Sequence, residues 1–283
     1  MESEGIPAAV TDEIIITQFN NLDMLKDRFK KYGDRLACLI IEPFLGSGGL
    51  IPASKEYLQS CRELTDRYGT MLIFDEVVSG FRFHPGNLGA LYGIQPDLAT
   101  FGKIMGGGMP VAAVAGRDDI MSLVGIEENN RVKFSGGTYS AHPASLLAAK
   151  TMMTYLSENE DRVYPRLAEL GENARRTMES AFMEEGIFAL CTGYGNDMVP
   201  GSSMVTLHFP YKDDVSLENP ESIFDPSVCD SVLSRDIVEL ALLLENVHML
   251  KGHGAVSTAH TDEDLTFLSR ACHQVARRIK PYL

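Results

Sequence analysis

Three short apolar runs, each leading into an ionisable side chain, constrain this chain more than any other feature. Leu36-Ala37-Cys38-Leu39-Ile40-Ile41 leads into Glu42, Met71-Leu72-Ile73-Phe74 into Asp75 and Glu76, and Leu98-Ala99-Thr100-Phe101 into Gly102 and Lys103. Each run is too short for a helix and too continuous for a half-exposed strand, so each predicts a strand buried in a parallel sheet. Val111 to Ala115 predicts a further buried strand. Amphipathic stretches separate the runs. Leu22, Leu25, Phe29 and Tyr32 share one helical face that ends at Gly33. Ser54 caps a second helix, whose Tyr57, Cys61, Leu64 and Tyr68 recur at helical spacing before Gly69. Strands alternating with helices define βαβ units, hence an α/β sheet.

The texture changes near residue 143, which divides the chain into units 1–142 and 143–283. Beyond it, Val163, Leu167, Leu170, Ala174 and Ala181 mark one long helix, stopped by Gly186. Leu233, Ile237, Leu240 and Leu244 mark the buried face of another. A last helix begins at Thr261, with Asp264 completing a capping box, and carries Leu265, Leu268, Cys272, Val275 and Ile279. Val205, Leu207 and Phe209 alternate as in a half-buried strand, and 210–226 reads as a surface loop. The second unit is therefore a small α+β domain.

Charge narrows the choice of partner. A net charge of −14 over 283 residues leaves no basic stripe for nucleic acid or for an anionic membrane surface. The five cysteines form no CxxC pair and mostly adjoin apolar residues, which predicts buried, reduced thiols. No signal peptide or membrane-length apolar run appears. Together these point to a soluble, cytoplasmic protein. The seven histidines show no paired-ligand spacing, so no metal site is expected, and no G-x-S-x-G elbow anchors a hydrolase triad.

Ligands of open α/β sheets sit beyond the carboxyl ends of parallel strands, where Asp75 and Lys103 fall. Each alone has a plain structural reading: a turn-capping carboxylate, and a solvated loop lysine beside glycines. Together they fit one chemistry. A lysine amine condenses with a cofactor aldehyde, while an aspartate keeps a pyridine nitrogen protonated, so that the ring withdraws electrons from a substrate carbon. The run Ser135-Gly136-Gly137-Thr138-Tyr139-Ser140 suits either a phosphate or a glycine-rich turn entering the helix at Pro143.

These motifs form an ordered set. Ile40-Ile41-Glu42-Pro43, the run Phe74 to Arg82, Pro96-Asp97-Leu98, Phe101-Gly102-Lys103 with Gly106 to Pro110, and Gly136-Gly137-Thr138 together resemble class III pyridoxal-phosphate (PLP)-dependent aminotransferases. Lys103 to Pro110 and the pattern at 137–143 are most similar to glutamate-1-semialdehyde 2,1-aminomutases. The resemblance implies PLP fold type I, with 1–142 a partial large domain of mainly parallel sheet and 143–283 a connecting helix and small domain. It implies Lys103 as the Schiff-base lysine, Asp75 as partner of the pyridine nitrogen, and Val77 on one face of the ring. It further implies Thr138 at the phosphate of a neighbouring subunit's cofactor, and Glu42 beneath the site. The expected activity is that of a transaminase or aminomutase acting on an amino acid or amino-aldehyde.

Two departures qualify this. The stretch that precedes the matched region in such enzymes, with its phosphate loop and ring-stacking aromatic, has no counterpart. The chain is thus expected to work as a homodimer or with another chain supplying that part, or else to be a weak or inactive paralogue associating with a full-length relative. Lys251-Gly252-His253-Gly254-Ala255 is also shorter than the aminomutase equivalent and lacks its acidic gate residue, leaving transaminase and aminomutase both open.

Overall fold

A computed structural model describes residues 4–125, 131–132, 136–250 and 252–283. Its central element is a four-stranded sheet in the order β1 (Cys38–Ile41), β4 (Met71–Glu76), β5 (Leu98–Phe101), β6 (Ala113–Gly116). A short hairpin, β2 (Phe44–Leu45) and β3 (Ile51–Pro52), follows β1. A separate three-stranded antiparallel sheet comprises β7 (Leu190–Thr192), β8 (Met204–His208) and β9 (His253–Ala255). The α-helices are α1 (Ala8–Thr11), α2 (Leu22–Tyr32), α3 (Lys55–Tyr68), α4 (Gly89–Tyr92), α5 (Asp118–Met121), α6 (Pro143–Glu158), α7 (Glu160–Glu184), α8 (Pro220–Phe224), α9 (Glu239–Leu244) and α10 (Asp262–Ile279).

Strands β1, β4 and β5 run parallel, with Ile41 opposite Phe74 and Asp75 opposite Thr100. Their shared face is sealed by α2 and α3. Leu72 and Phe74 are fully buried there with Leu25, Leu58 and Cys61. Each such side chain contributes about 1.5–3 kcal/mol by leaving water. The expected caps hold: Ser54 accepts a hydrogen bond from the Tyr57 amide, and Gly69 ends α3 in the left-handed region at φ 66°. Gly33 ends α2 for a different reason. Its φ is −51°, but a Cβ there would lie 2.3 Å from the Tyr68 ring, so the packing of α2 on α3 demands its absence.

The strand expectations need correction in places. The fourth strand begins at Ala113, pairs antiparallel with β5, and is exposed along its whole length. Strand β1 is parallel but lies at the sheet edge among the described residues, with Ile40 62% exposed. Asp75 and Glu76 end β4 rather than follow it. Ile40, Met71 and Val114 all show large apolar surface on the face opposite α3.

A second apolar cluster joins α7, α10 and the three-stranded sheet through Phe182, Leu207, Leu242, Cys272 and Val275. Strand β8 is buried on both sides rather than one, because Thr206 and His208 face a second layer instead of solvent. The segment 210–226 contains α8, which buries Ile223. Of the face expected to be buried around 233–244, Leu233 is buried but Ile237, Leu240 and Leu244 lie outside. A π-helical turn, Leu233–Val238, shifts the register. Leu233, Val238, Ala241 and Leu242 face inward, while Ile237, Leu240 and Leu244 are 46%, 63% and 73% exposed. The Thr261–Asp264 capping box forms as expected, and the five cysteines are unpaired, four of them buried. No helix among the described residues is long and apolar enough to cross a membrane.

Candidate active site

Parallel pairing of β1, β4 and β5 brings Glu42, Asp75 and Lys103 to one end of the sheet. Alternation along β4 decides which way its last two residues point. Phe74 and Glu76 face the helix-covered side, and Asp75 the open side with Ile73. Asp75 Oδ1 accepts hydrogen bonds from the Val77 amide (3.0 Å) and from Thr100 Oγ1 (3.2 Å). Its Oδ2 has no partner among the described residues.

Lys103 opens a 3₁₀ turn, Lys103–Gly106, with φ at 47°. A long side chain in the left-handed region costs roughly 1–2 kcal/mol, and such outliers concentrate at functional positions. Its side chain is exposed and forms no hydrogen bond or ion pair among the described residues. Val77 packs against the preceding residue: a Cβ on Gly102 would sit 3.6 Å from Val77 Cγ1. Glu42 Oε2 accepts from the Gly46 amide at 2.9 Å. Burial raises the Glu42 carboxyl above its usual range against that hydrogen bond, with Asp75 adding to the rise and Lys103 opposing it. Glu42 therefore shares an electrostatic environment with both.

Glu76 points away from this group and shapes it from behind. It is fully buried, accepting from Ser79 Oγ at 2.5 Å and the Leu88 amide at 2.6 Å. Burial pushes its carboxyl up to about 7 despite these bonds. With the Gly80 amide bonded to the Glu76 carbonyl, and Arg82 Nε to the Val78 carbonyl, Glu76 fixes the turn that carries Val77.

Thr138 is exposed in the turn before α6 and makes no hydrogen bond among the described residues, so the chain by itself does not join it to the Asp75–Lys103 group. Ser135 and Lys251 lie outside the described residues. Sequence reading missed Thr100 and the role of Glu76. Thr100 is found only through strand register, whereas the Asp75–Glu76 alternation at a strand end was an available signal. The uncommitted groups fit PLP: a carboxylate oxygen free to pair with a ring nitrogen, and an amine free to hold an aldehyde.

Residues 6–187 match the aminotransferase class-III family. Glutamate-1-semialdehyde 2,1-aminomutase of Persephonella marina is 36% identical over a 270-residue match that covers 92% of this chain and 57% of that protein. Glutamate-1-semialdehyde 2,1-aminomutase 2 of Brevibacillus brevis is 33% identical over 98% of this chain and 61% of its own length. Among solved structures, an omega-transaminase from Sphaerobacter thermophilus superimposes with a TM-score of 0.82 at 31% identity, over 98% of this chain and 60% of that one. A glutamate-1-semialdehyde aminomutase from Pseudomonas aeruginosa PAO1 shares the fold, with a TM-score of 0.75 at 21% identity. The chain thus spans 57–61% of the length of the first three relatives. Its α/β architecture is that of fold type I transaminases, and it belongs to the class III aminotransferases, a PLP-dependent family.

Proposed function

We propose that this chain carries the cofactor-anchoring part of a PLP-dependent transaminase or aminomutase acting on a small amino acid or amino-aldehyde. The observation that carries this reading is the pairing of two uncommitted groups, Asp75 Oδ2 and the Lys103 amine, at adjacent parallel strand ends. When bound, PLP supplies an electron-withdrawing ring that accepts the electron pair of a breaking Cα–H bond. Asp75 would accept a hydrogen bond from the ring nitrogen and keep it charged. Thr100 and the Val77 amide hold that carboxylate in one orientation. Lys103 would hold the aldehyde carbon and, once displaced by substrate, carry the proton between carbons. Val77 would cover one ring face, Glu42 would lie beneath, and Thr138 would serve the phosphate of a neighbouring subunit's cofactor.

In this reading, 1–142 form a partial large domain and 143–283 a connecting helix and small domain. Helix α6 supports a homodimer, because it is apolar on most sides and leaves Leu146 and Leu147 46% and 66% exposed. The open face of the central sheet supports a covering chain that supplies the rest of the enzyme, since sheets of this class normally carry layers on both faces. Unpaired cysteines suit the cytoplasm.

The test is spectroscopic. PLP added to the chain should give a visible absorbance band that Lys103→Ala abolishes and Asp75→Asn shifts. Absence of any band in the unmodified chain, with or without an added class III N-terminal portion, would leave the reading as an inactive paralogue.

A further inference from the structure

The turn that carries Val77 is wound more tightly than Glu76 alone requires. Gly80 leaves no room for a side chain: a Cβ there would lie 2.7 Å from both the Glu76 carbonyl oxygen and the Phe101 ring. Phe81 follows in the left-handed region at φ 60°, where a bulky residue is strained and persists only when its surroundings hold it. Its amide donates to the Gly86 carbonyl at 3.0 Å, and its carbonyl accepts from Tyr164 Oη at 3.3 Å. The Arg82 amide donates back to the Ser79 carbonyl at 3.1 Å.

Residues beyond 143 supply part of this restraint. Tyr164 belongs to α7 and is buried with Leu156 and Val163 where α6 meets α7. Phe81 and Ile104 both pack against that cluster, so one apolar contact touches the turn of Val77 and the turn of Lys103 together. Helix α6 also closes on the end of the Lys103 turn, since a Cβ on Gly107 would lie 3.3 Å from the Ala148 carbonyl oxygen.

Arg82 is the polar counterpart of this contact. Its Nε donates to the Val78 carbonyl at 2.8 Å, and its Nη1 reaches Ser203 Oγ, just before β8, at 3.4 Å. No carboxylate pairs with it among the described residues. Burial pushes the guanidinium down to about 10, which still leaves it charged at neutral pH. A charge held out of water without a counter-ion is costly, and an apolar side chain of similar length would fill the space at less cost. Such a side chain lacks the directional bond that fixes the Val78 carbonyl, and with it the Val77 side chain one residue earlier.

We propose that Arg82 is a positioning residue for the cofactor, holding Val77 against the ring through the Val78 carbonyl, with Tyr164 fixing the same turn from α7. The link to the cofactor rests on the function proposed above; the restraint on the turn does not. Hydrogen exchange of the full chain without PLP, followed by mass spectrometry, reads the restraint. Visible circular dichroism of added PLP, with a class III N-terminal portion supplied, reads the orientation of the ring. Arg82→Met keeps the length of the side chain and removes the bond, and should speed exchange at peptides spanning 77–82 roughly tenfold. It should also cut the dichroic signal of bound PLP by about half and raise its dissociation constant roughly tenfold, the equivalent of one hydrogen bond. Arg82→Lys keeps the charge without the planar fork and should restore neither signal fully. Tyr164→Phe, a milder change that keeps the ring in its cluster, should act in the same direction more weakly. Arg62→Met, which breaks the ion pair with Asp97, is the control for general loss of stability and should change neither readout. Unchanged exchange at 77–82 in both Arg82→Met and Tyr164→Phe overturns the restraint. Faster exchange with unaltered dichroism and PLP affinity, or full recovery in Arg82→Lys, overturns the positioning role. A parent chain that gives no PLP band fails the function reading, and the positioning role falls with it, whereas the exchange result stands by itself.

Discussion

At the scale of single residues, two buried titratable groups act on stability in opposite directions with pH. His208 is 5% exposed, and burial, reinforced by His253, lowers it from 6.5 to about 4. The folded state therefore favours the neutral ring. Its contribution is complete above about pH 6.5 and is lost as pH falls towards 4, a change of roughly 3 kcal/mol. Glu76 has the opposite sign. Its carboxyl rises from 4.5 to about 7, so its contribution is complete below about 4.5 and is lost as pH rises through 7, again by roughly 3 kcal/mol. Urea unfolding across this range should show His208→Gln losing less stability than the parent on acidification. It should show Glu76→Gln losing less as pH rises. Parallel pH profiles for parent and variant would contradict either assignment. A third residue is structural: Arg175 is fully buried, donates to the carbonyls of Ser202 and Met204 at 2.7 and 2.8 Å, and stacks on Tyr194. Arg175→Met strands both acceptors and should lower stability by about 2–4 kcal/mol in the same assay. Strand alternation at the end of β4 was a signal for Glu76, whereas no sequence signal marks the burial of His208 or Arg175, since each would look solvated in isolation.

At the scale of elements, caps and periodicity were legible and faces were less so. The Ser54 cap, the Gly69 terminus and the Thr261–Asp264 box are local hydrogen-bonding patterns, and local sequence specifies them. The helix around 233–244 is apolar on two sides, so periodicity alone placed Leu233 correctly and, past the π-helical turn, Ile237, Leu240 and Leu244 on the wrong side. Its outer stripe predicts an outcome: Leu244→Glu should change unfolding stability by no more than about 0.5 kcal/mol, while reducing self-association in sedimentation. Gly171 is the opposite case. A Cβ there would lie 2.0 Å from the Ser202 carbonyl oxygen, so α7 reaches the 202–203 segment only because the side chain is absent. Gly171→Ala should cost about 1–3 kcal/mol or more in thermal unfolding, although alanine ordinarily strengthens a helix.

At the scale of the whole molecule, the central sheet is covered on one side. Leu72 and Phe74 are sealed beneath α2 and α3, while Ile40, Met71 and Val114 are exposed on the other side. An apolar sheet face of this kind binds hydrophobic surface, its own copies included. The double variant Ile40→Ser, Val114→Ser should lower the fluorescence of a bound hydrophobic dye and reduce self-association, with little change in melting temperature. An added class III N-terminal portion should quench the same dye signal in the parent chain. If the dye signal is unaffected by both, the exposed face is not where partner surface docks.

The α/β architecture, and the placing of Asp75 and Lys103 at the ends of neighbouring parallel strands, followed from the sequence. Apolar runs, caps and charges at strand ends are properties of contiguous residues, and chain connectivity alone places them. Tertiary structure decided which face of β8 and of 233–244 is buried, that β6 is antiparallel and exposed, and that Thr100 braces Asp75. Those outcomes depend on which distant surfaces meet, because burial and strand register are fixed by packing partners and not by local pattern.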